Sequence, residues 1–265
     1  MQSTDIASIL NKLQQSPDNS TEFGEDWSQG RSAFGGLASA FAVTAMRKQL
    51  ATPQPMRSLM VSFIAPISPG EITVVARIQR QGKNVTQMSA DVMSGGQIGL
   101  QAMGVFGNSR TALNVPPVQD EAPTPRDQGI QFATHAERLP RFLSYFEGSW
   151  VNDGMPYSGT KRKHLQMWVR HKTNVSEFPT EKMVAICDMP PPVILSWFDT
   201  PPVPASSLSW ALEFVVPPET VTGEWFYLDY SVEAAADGYT QQSGKIYDEE
   251  GRLCALSRQC MVYFG

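Results

Sequence analysis

"GRSAFGGLASAFAVTAMRKQL" occupies residues 30–50. From Ala38 to Leu50 its residues are mostly small and apolar, which predicts a buried helix opening after Gly35-Gly36. Arg47 and Lys48 fall in its last turns, where positive charge suits the helix dipole. Four strand-like runs follow without another helix, at 58–68, 71–82, 84–93 and 98–107, separated by "SPG", "QGK" and "SGGQ". Turn residues between short β-prone runs predict an antiparallel meander. A short amphipathic helix is expected ahead of this unit at 4–14, where Ile6, Ile9, Leu10 and Leu13 keep helical spacing.

Residues 108–136 are polar and proline-rich, a linker composition. Beyond them the same order returns. Aromatic-rich strands are predicted at 142–150 and 163–172, an apolar helical stretch at about 179–198, and four more strands at 207–217, 224–234, 240–248 and 253–264. "SFIAP" (62–66) matches "EFVVP" (213–217) at an offset of 151. "GEITVVARI" (70–78) matches "GEWFYLDYS" (223–231) at 153, and "GQIGLQAMGVF" (96–106) matches "GRLCALSRQCM" (251–261) at 155. A period of about 150 residues is too long for a solenoid and marks a duplicated domain. The expected units are 1–107, a linker at 108–136, and 137–265.

Composition narrows the function. The chain has 265 residues and a formal net charge of −5. "KRKH" at 161–164 is too short for a nucleic-acid footprint and reads as a solvated turn. No nucleic-acid or membrane partner is expected. The N-terminal segment lacks a basic region followed by an apolar core, so it does not read as a signal peptide. No uncharged apolar run reaches the ~18 residues of a membrane span. Cys187, Cys254 and Cys260 are odd in number and show no metal or redox spacing, as expected of a reduced cytoplasmic protein. His135, His164 and His171 show no metal-ligand spacing, so neither a metal site nor a cofactor is expected.

A helix wrapped by an antiparallel sheet, present twice, is an α+β layout, the double hotdog. "FGGLASA" together with "SFIAPISPGEITVVARIQRQGKNV" resembles the first half of the bacterial acyl-CoA thioesterase II family. "WVR", "AICD", a strand ending in Phe-x-x-Pro, and a Gln in the last strand resemble its second half. The resemblance runs from about Phe23 to Phe264. It implies hydrolysis of an acyl-CoA to a carboxylic acid and CoA, by a carboxylate, a hydroxyl and an amide from the second half. Those motifs fall on Asp188, Ser207 and Gln259, with Ser at 207 where the family usually has Thr. Leu37 stands where the family often has Gln, and Ser209 where it often has Asp.

The residues fit that chemistry. Val184, Ile186, Cys187 and Met189 surround Asp188 in sequence with apolar matter, so desolvation should raise its pKa towards that of a useful general base. Ser207 and Gln259 can each orient a water. Gly35 and Gly36, opening the first helix, are expected to supply backbone oxyanion donors from the other half. In "VAICDMPPPVILSWF" (184–198), Pro190–Pro192 should end or kink the helix where Asp188 must project. Asp188 could equally be a helix-terminal residue capping the segment that begins with Pro190–Pro192, and Gln259 a polar strand residue. Cys187 beside Asp188 reads as a buried structural thiol. Shifted by 151–155 residues, Gln259 falls on Gly104, Ser207 on Met56 and Asp188 on 33–37, so one site per chain is expected. Two other functions remain open: a dehydratase or hydratase acting on a 3-hydroxyacyl thioester, and a non-catalytic acyl-thioester-binding protein. Exposed sheet edges suggest a homo-oligomer.

Overall fold

The computed structural model describes residues 4–117 and 123–264; positions 118–122 of the expected linker lie outside the described residues. Helix α1 (Ile6–Gln15) is capped by the Asp5 carboxylate, which accepts from the Ser8 amide, and buries Ile6, Ile9, Leu10 and Leu13. Short strands β1 (Ser20–Phe23), β2 (Ser28–Gln29) and β3 (Ser32–Ala33) lead to helix α2 (Gly35–Lys48). The helix begins at Gly35 itself, two residues earlier than the glycine pair suggested. Strands β4 (Met56–Phe63), β5 (Gly70–Gln81), β6 (Val85–Ser94) and β7 (Gln97–Gly107) form the first meander.

The expected linker is structured in its later part. It contains 3₁₀ turns and strand β8 (Ile130–Gln131), and the Trp168 indole donates to the Thr124 carbonyl at 2.6 Å. The run predicted as a strand at 142–150 divides into a 3₁₀ turn (Arg141–Tyr145) and strand β9 (Phe146–Trp150). That turn is held by stacking across the halves, Phe142 on Phe34 at 4.2 Å and Tyr145 on Trp27 at 4.1 Å. Strand β10 (His164–His171) precedes helix α3 (Pro179–Cys187). The helical stretch expected to reach residue 198 stops at Cys187, and only a 3₁₀ turn (Val193–Trp197) follows the prolines, which have no amide to extend a ladder. Strands β11 (Ala205–Phe214), β12 (Phe226–Ala236), β13 (Tyr239–Asp248) and β14 (Leu253–Tyr263) complete the chain.

Twelve strands make one antiparallel sheet in the order β1-β5-β6-β7-β4-β11-β14-β13-β12-β10-β9-β8. The halves join where β4 pairs with β11. That seam carries the duplication in its register. Ser62 pairs with Ser209, and Ser58 with Glu213. Adding 151 to 58 and 62 gives 209 and 213, so each pair is the other with the halves exchanged. Irregularities repeat as well. The bulge between Met56 and Ser58 recurs between Ser207 and Ser209, again 151 later. The one between Ile78 and Arg80 recurs between Val232 and Ala234, 154 later. Bulges set which side chains face inward, so each half reproduces the other's pattern of inward positions.

Helices α2 and α3 pack against each other, and α2 is also covered by β5, β6 and β7. From Gly36 to Met46 every residue of α2 is buried. A Cβ on Gly36 would lie 2.9 Å from the Ala185 Cα, so the two helices approach as closely as they do because that position has no side chain.

Candidate active site

Asp188 is the residue at which α3 ends; its amide bonds back to the Ile186 carbonyl. The preceding carbonyl, of Cys187, accepts from the Tyr230 hydroxyl at 2.5 Å. Tyr230 is fully buried, and its ring fills the space that a Cβ on Gly244 would need. Ser257 in turn bonds Tyr230 and accepts from the Trp210 indole N–H at 2.9 Å. This chain starts at a group that can only donate and ends on one that can only accept. It fixes the end of α3, and with it the place of Asp188.

The carboxylate itself reaches two elements. Its Oδ1 accepts from Gln259 Nε2 on β14 at 2.8 Å. It also accepts from the backbone N–H of Gly36, in the first turn of α2. No side chain of its own caps α2. Asp188 does so from the other half, satisfying a donor that the helix leaves over. Asp188 therefore is a cap, but of α2 rather than of the proline segment. Its Oδ2 occupies the position a Cβ on Gly35 would take, at 2.6 Å.

Removal from water raises the Asp188 carboxyl from 3.8 to about 7, and the bonds from Gln259 and Gly36 only partly oppose this. The residue is half-buried, so part of it stays open to its surroundings. Burial pushes the Cys187 thiol well above its ordinary range, which suits an inert structural cysteine.

Ser207 lies on β11 opposite Met261, while Trp210 lies opposite Gln259. Positions 207 and 210 would face opposite sides of a regular strand. The bulge between Ser207 and Ser209 removes that difference, because directly paired residues share a face and Met261 and Gln259 are both buried. Ser207 is thus brought to the inward side next to Gln259. Its hydroxyl is not among the groups bonded to Asp188. Gly35 and Gly36 stand as expected at the start of α2, but Gly36 donates to Asp188, where the sequence suggested an oxyanion donor. The dipole's positive end attracts the nearest anion, and in the folded chain that is Asp188.

The first half supplies the comparison. Gly104 holds the place of Gln259, and a Cβ there would meet Met46 at 3.0 Å and Met56 at 3.3 Å. Met56 is the counterpart of Ser207. Met46, on α2, reaches the spot that Asp188 reaches in the second half. The shift of 151–155 pointed instead to 33–37; it fails for the helices because 17 residues, 188–204, join α3 to β11 where only 7, 49–55, join α2 to β4. A groove of about 600 Å³ lies at the other end of α2, lined by Thr44, Arg47, Phe178 and Glu181 among others, and does not include Asp188.

Two family models match the chain. One described as the acyl-CoA thioesterase N-terminal domain matches residues 23–107, and one described as the acyl-CoA thioesterase C-terminal domain matches residues 115–263. The chain belongs to the acyl-CoA thioesterase family. No curated protein matches it. Solved structures share its fold. A conserved protein of unknown function with a hot dog fold from Alicyclobacillus acidocaldarius has a TM-score of 0.83 at 18% identity, covering 97% of this chain and 98% of its own. A tesB protein from Mycobacterium avium subspecies paratuberculosis has a TM-score of 0.77 at 16% identity, covering 99% and 100%. An acyl-CoA thioesterase II from Mycobacterium marinum has a TM-score of 0.73 at 15% identity, covering 96% and 98%. The fold is the double hotdog, α+β as expected. No described helix of this thioesterase-family chain is long and apolar enough to cross a membrane.

Sequence reasoning missed Gln242, Tyr230 and Ser257, all buried beside the site. Gln242 pairs directly with Gln259 across β13 and β14. Two glutamines on neighbouring strands were visible, but only the register shows that they meet.

Proposed function

We propose that the protein hydrolyses an acyl-CoA to a free carboxylic acid and CoA, with Asp188 as general base. The observation that carries this reading is a half-buried carboxylate, raised to about 7, fixed by an amide side chain on one side and a helix-start N–H on the other. A base that titrates near neutrality can take a proton from water and hand it on again. Asp188 removes a proton from a water held beside Ser207. The resulting hydroxide attacks the thioester carbonyl carbon. Negative charge develops on the carbonyl oxygen, and the amide of Gly35 at the positive end of α2 is the donor assigned to it. The tetrahedral intermediate then expels the CoA sulfur, which takes the proton from Asp188. Ser207 and Gln259 orient the water and the base, reducing the entropy lost at the transition state.

Release of free CoA thiol across a series of acyl chain lengths tests the reading. The wild type should release thiol and Asp188→Asn should not, while both stay folded. Below about pH 7, kcat/KM should rise roughly tenfold per pH unit, as one base loses one proton. Full turnover by Asp188→Asn would reject the assignment. Loss of double-bond absorbance without thiol would point to a hydratase, and tight binding with neither to a carrier.

A further inference from the structure

We propose that Gln242 is a positioning residue for Asp188, fixing which end of the Gln259 amide the carboxylate meets; this rests on the hydrolytic reading above. Gln242 is fully buried on β13. Its Oε1 accepts from the Val193 N–H at 3.0 Å. Its Nε2 donates to Gln259 Oε1 at 2.8 Å, and Gln259 Nε2 donates to Asp188 Oδ1 at 2.8 Å.

The direction of this chain follows from its first member. A backbone N–H can only donate, so the atom facing Val193 must be the oxygen of Gln242. Its nitrogen then faces Gln259, whose oxygen must accept, and the nitrogen of Gln259 is left for Asp188. Pro190, Pro191 and Pro192 have no amide hydrogen, and the Met189 amide is taken by the Ile186 carbonyl. Val193 therefore carries the first backbone donor still available after Asp188.

The duplicated half gives a second, independent observation. Gln242 lies opposite Gln259 on the sheet, and Met88 lies opposite Gly104. The matched bulges place position 88 in register with 242, both pairing one rung from the bulge. Met46, Met56, Met88 and Gly104 thus stand where Asp188, Ser207, Gln242 and Gln259 stand. Gln242 is polar only in the half whose other three positions are polar.

An anchored amide discriminates between the two states of Asp188. The ionised carboxylate receives a donor from it. The protonated acid accepts from it more weakly, through its neutral carbonyl oxygen, and its O–H gains no acceptor from Gln259. If the anchor is removed, Gln259 can turn its oxygen to the protonated acid and stabilise it. The other titratable groups against Asp188 are the Cys187 thiol and the Tyr230 phenol, both kept neutral by burial. Phe34, Gly35, Gly36 and Leu37 at the start of α2 and Phe63 on β4 contribute none.

The test uses full-length chain with ¹³C-labelled aspartate carboxyls, the Asp188 signal being assigned by its loss in Asp188→Asn. Two variants remove the anchor differently. Gln242→Met deletes the amide; Val193→Pro deletes the backbone donor and keeps the amide, at the first position of a 3₁₀ turn where proline is tolerated. In each, Asp188 should titrate about half to one pH unit higher than in the wild type, the size of one neutral hydrogen bond. Thioester turnover should fall several-fold at pH 6 and recover towards pH 8.5, with KM within about twofold. A merely structural residue would lower the melting temperature and activity at every pH without moving the titration. The inference is overturned if the folded variants titrate within about 0.2 unit of the wild type. A shifted titration in a protein that releases no thiol would sink the hydrolytic reading and leave the positioning role standing.

Discussion

Asp188→Asn should remove a pH-dependent loss of stability as well as the activity. Below about pH 3 the carboxyl is protonated in both the folded and the unfolded chain, and it contributes no pH dependence. As pH rises past 3.8, the unfolded chain loses this proton while the folded chain keeps it up to about 7. The unfolded state then binds fewer protons, so stability falls with pH across that window and is flat beyond it. The gap of 3.2 units, from 3.8 to about 7, corresponds in full to about 4 kcal/mol at 1.36 kcal/mol per unit. Asp188 is half-buried, and water screens part of the effect, so ~2 kcal/mol is the expected cost above pH 7. Asparagine does not titrate and escapes it. It also leaves one of the donors from Gln259 or Gly36 facing an N–H₂ group, but that penalty does not vary with pH. Urea unfolding of the two proteins from pH 4.5 to 8.5 separates the terms. The stability difference should move in favour of Asp188→Asn by ~2 kcal/mol across the series. A difference constant to within about 0.5 kcal/mol would refute a strained, near-neutral carboxyl at this position.

Substitutions at three further positions probe the surroundings. Gly35→Ala puts a methyl where Asp188 Oδ2 lies, 2.6 Å away, and against the Phe63 ring at 3.0 Å. It should displace the carboxylate, lowering kcat about 100-fold in the thiol assay, with a stability loss of ~1–3 kcal/mol by thermal melting. Ser207→Ala should lower kcat by at least about tenfold, whereas Ser207→Thr, which keeps the hydroxyl, should stay within a few-fold of wild type; equal activity for all three would remove Ser207 from the site. Arg47→Met tests the other end of α2, where Arg47 meets the nearly inaccessible Glu181 at 2.7 Å. Leaving that carboxylate buried without its partner should destabilise the protein by ~3 kcal/mol at pH 8 in urea unfolding, with little change in kcat.

The fold was legible in the sequence because strands announce themselves locally. β-prone runs bounded by turn residues marked all eight meander strands, and the match of "SFIAP" to "EFVVP" at 151 residues became the register of the β4–β11 seam. What escaped was set by contacts distant in sequence. Strand β8 has two residues, and only its pairing with β9 defines it. The turn at 141–145 resembles a strand in composition, but it is held by rings from the other half. Asp188 was legible from its motif and its apolar neighbours. Its bond to Gly36 was not, because the open donors of a helix start say nothing about which acceptor reaches them. The control offered by duplication held for the strands, where bulges keep the offset, and shifted for the helices, because the connection after α3 is ten residues longer than the one after α2.

The two halves explain why a costly carboxylate is tolerable here. In a dimer of identical chains, a residue at the end of one helix appears twice, and a buried carboxylate near pH 7 imposes its penalty at both places. Fusion of the halves into one chain removes that constraint. One copy of the position can be filled by Met46, Met56 and Met88, flexible side chains that close around the space left by Gly104. Those contacts contribute packing free energy without a polar group to satisfy. The other copy keeps Asp188 with three supporting polar side chains, each bonded or turned inward by the same bulged sheet. The folded chain then carries the electrostatic strain of one site and the apolar packing of its counterpart, and the same register of strands produces both.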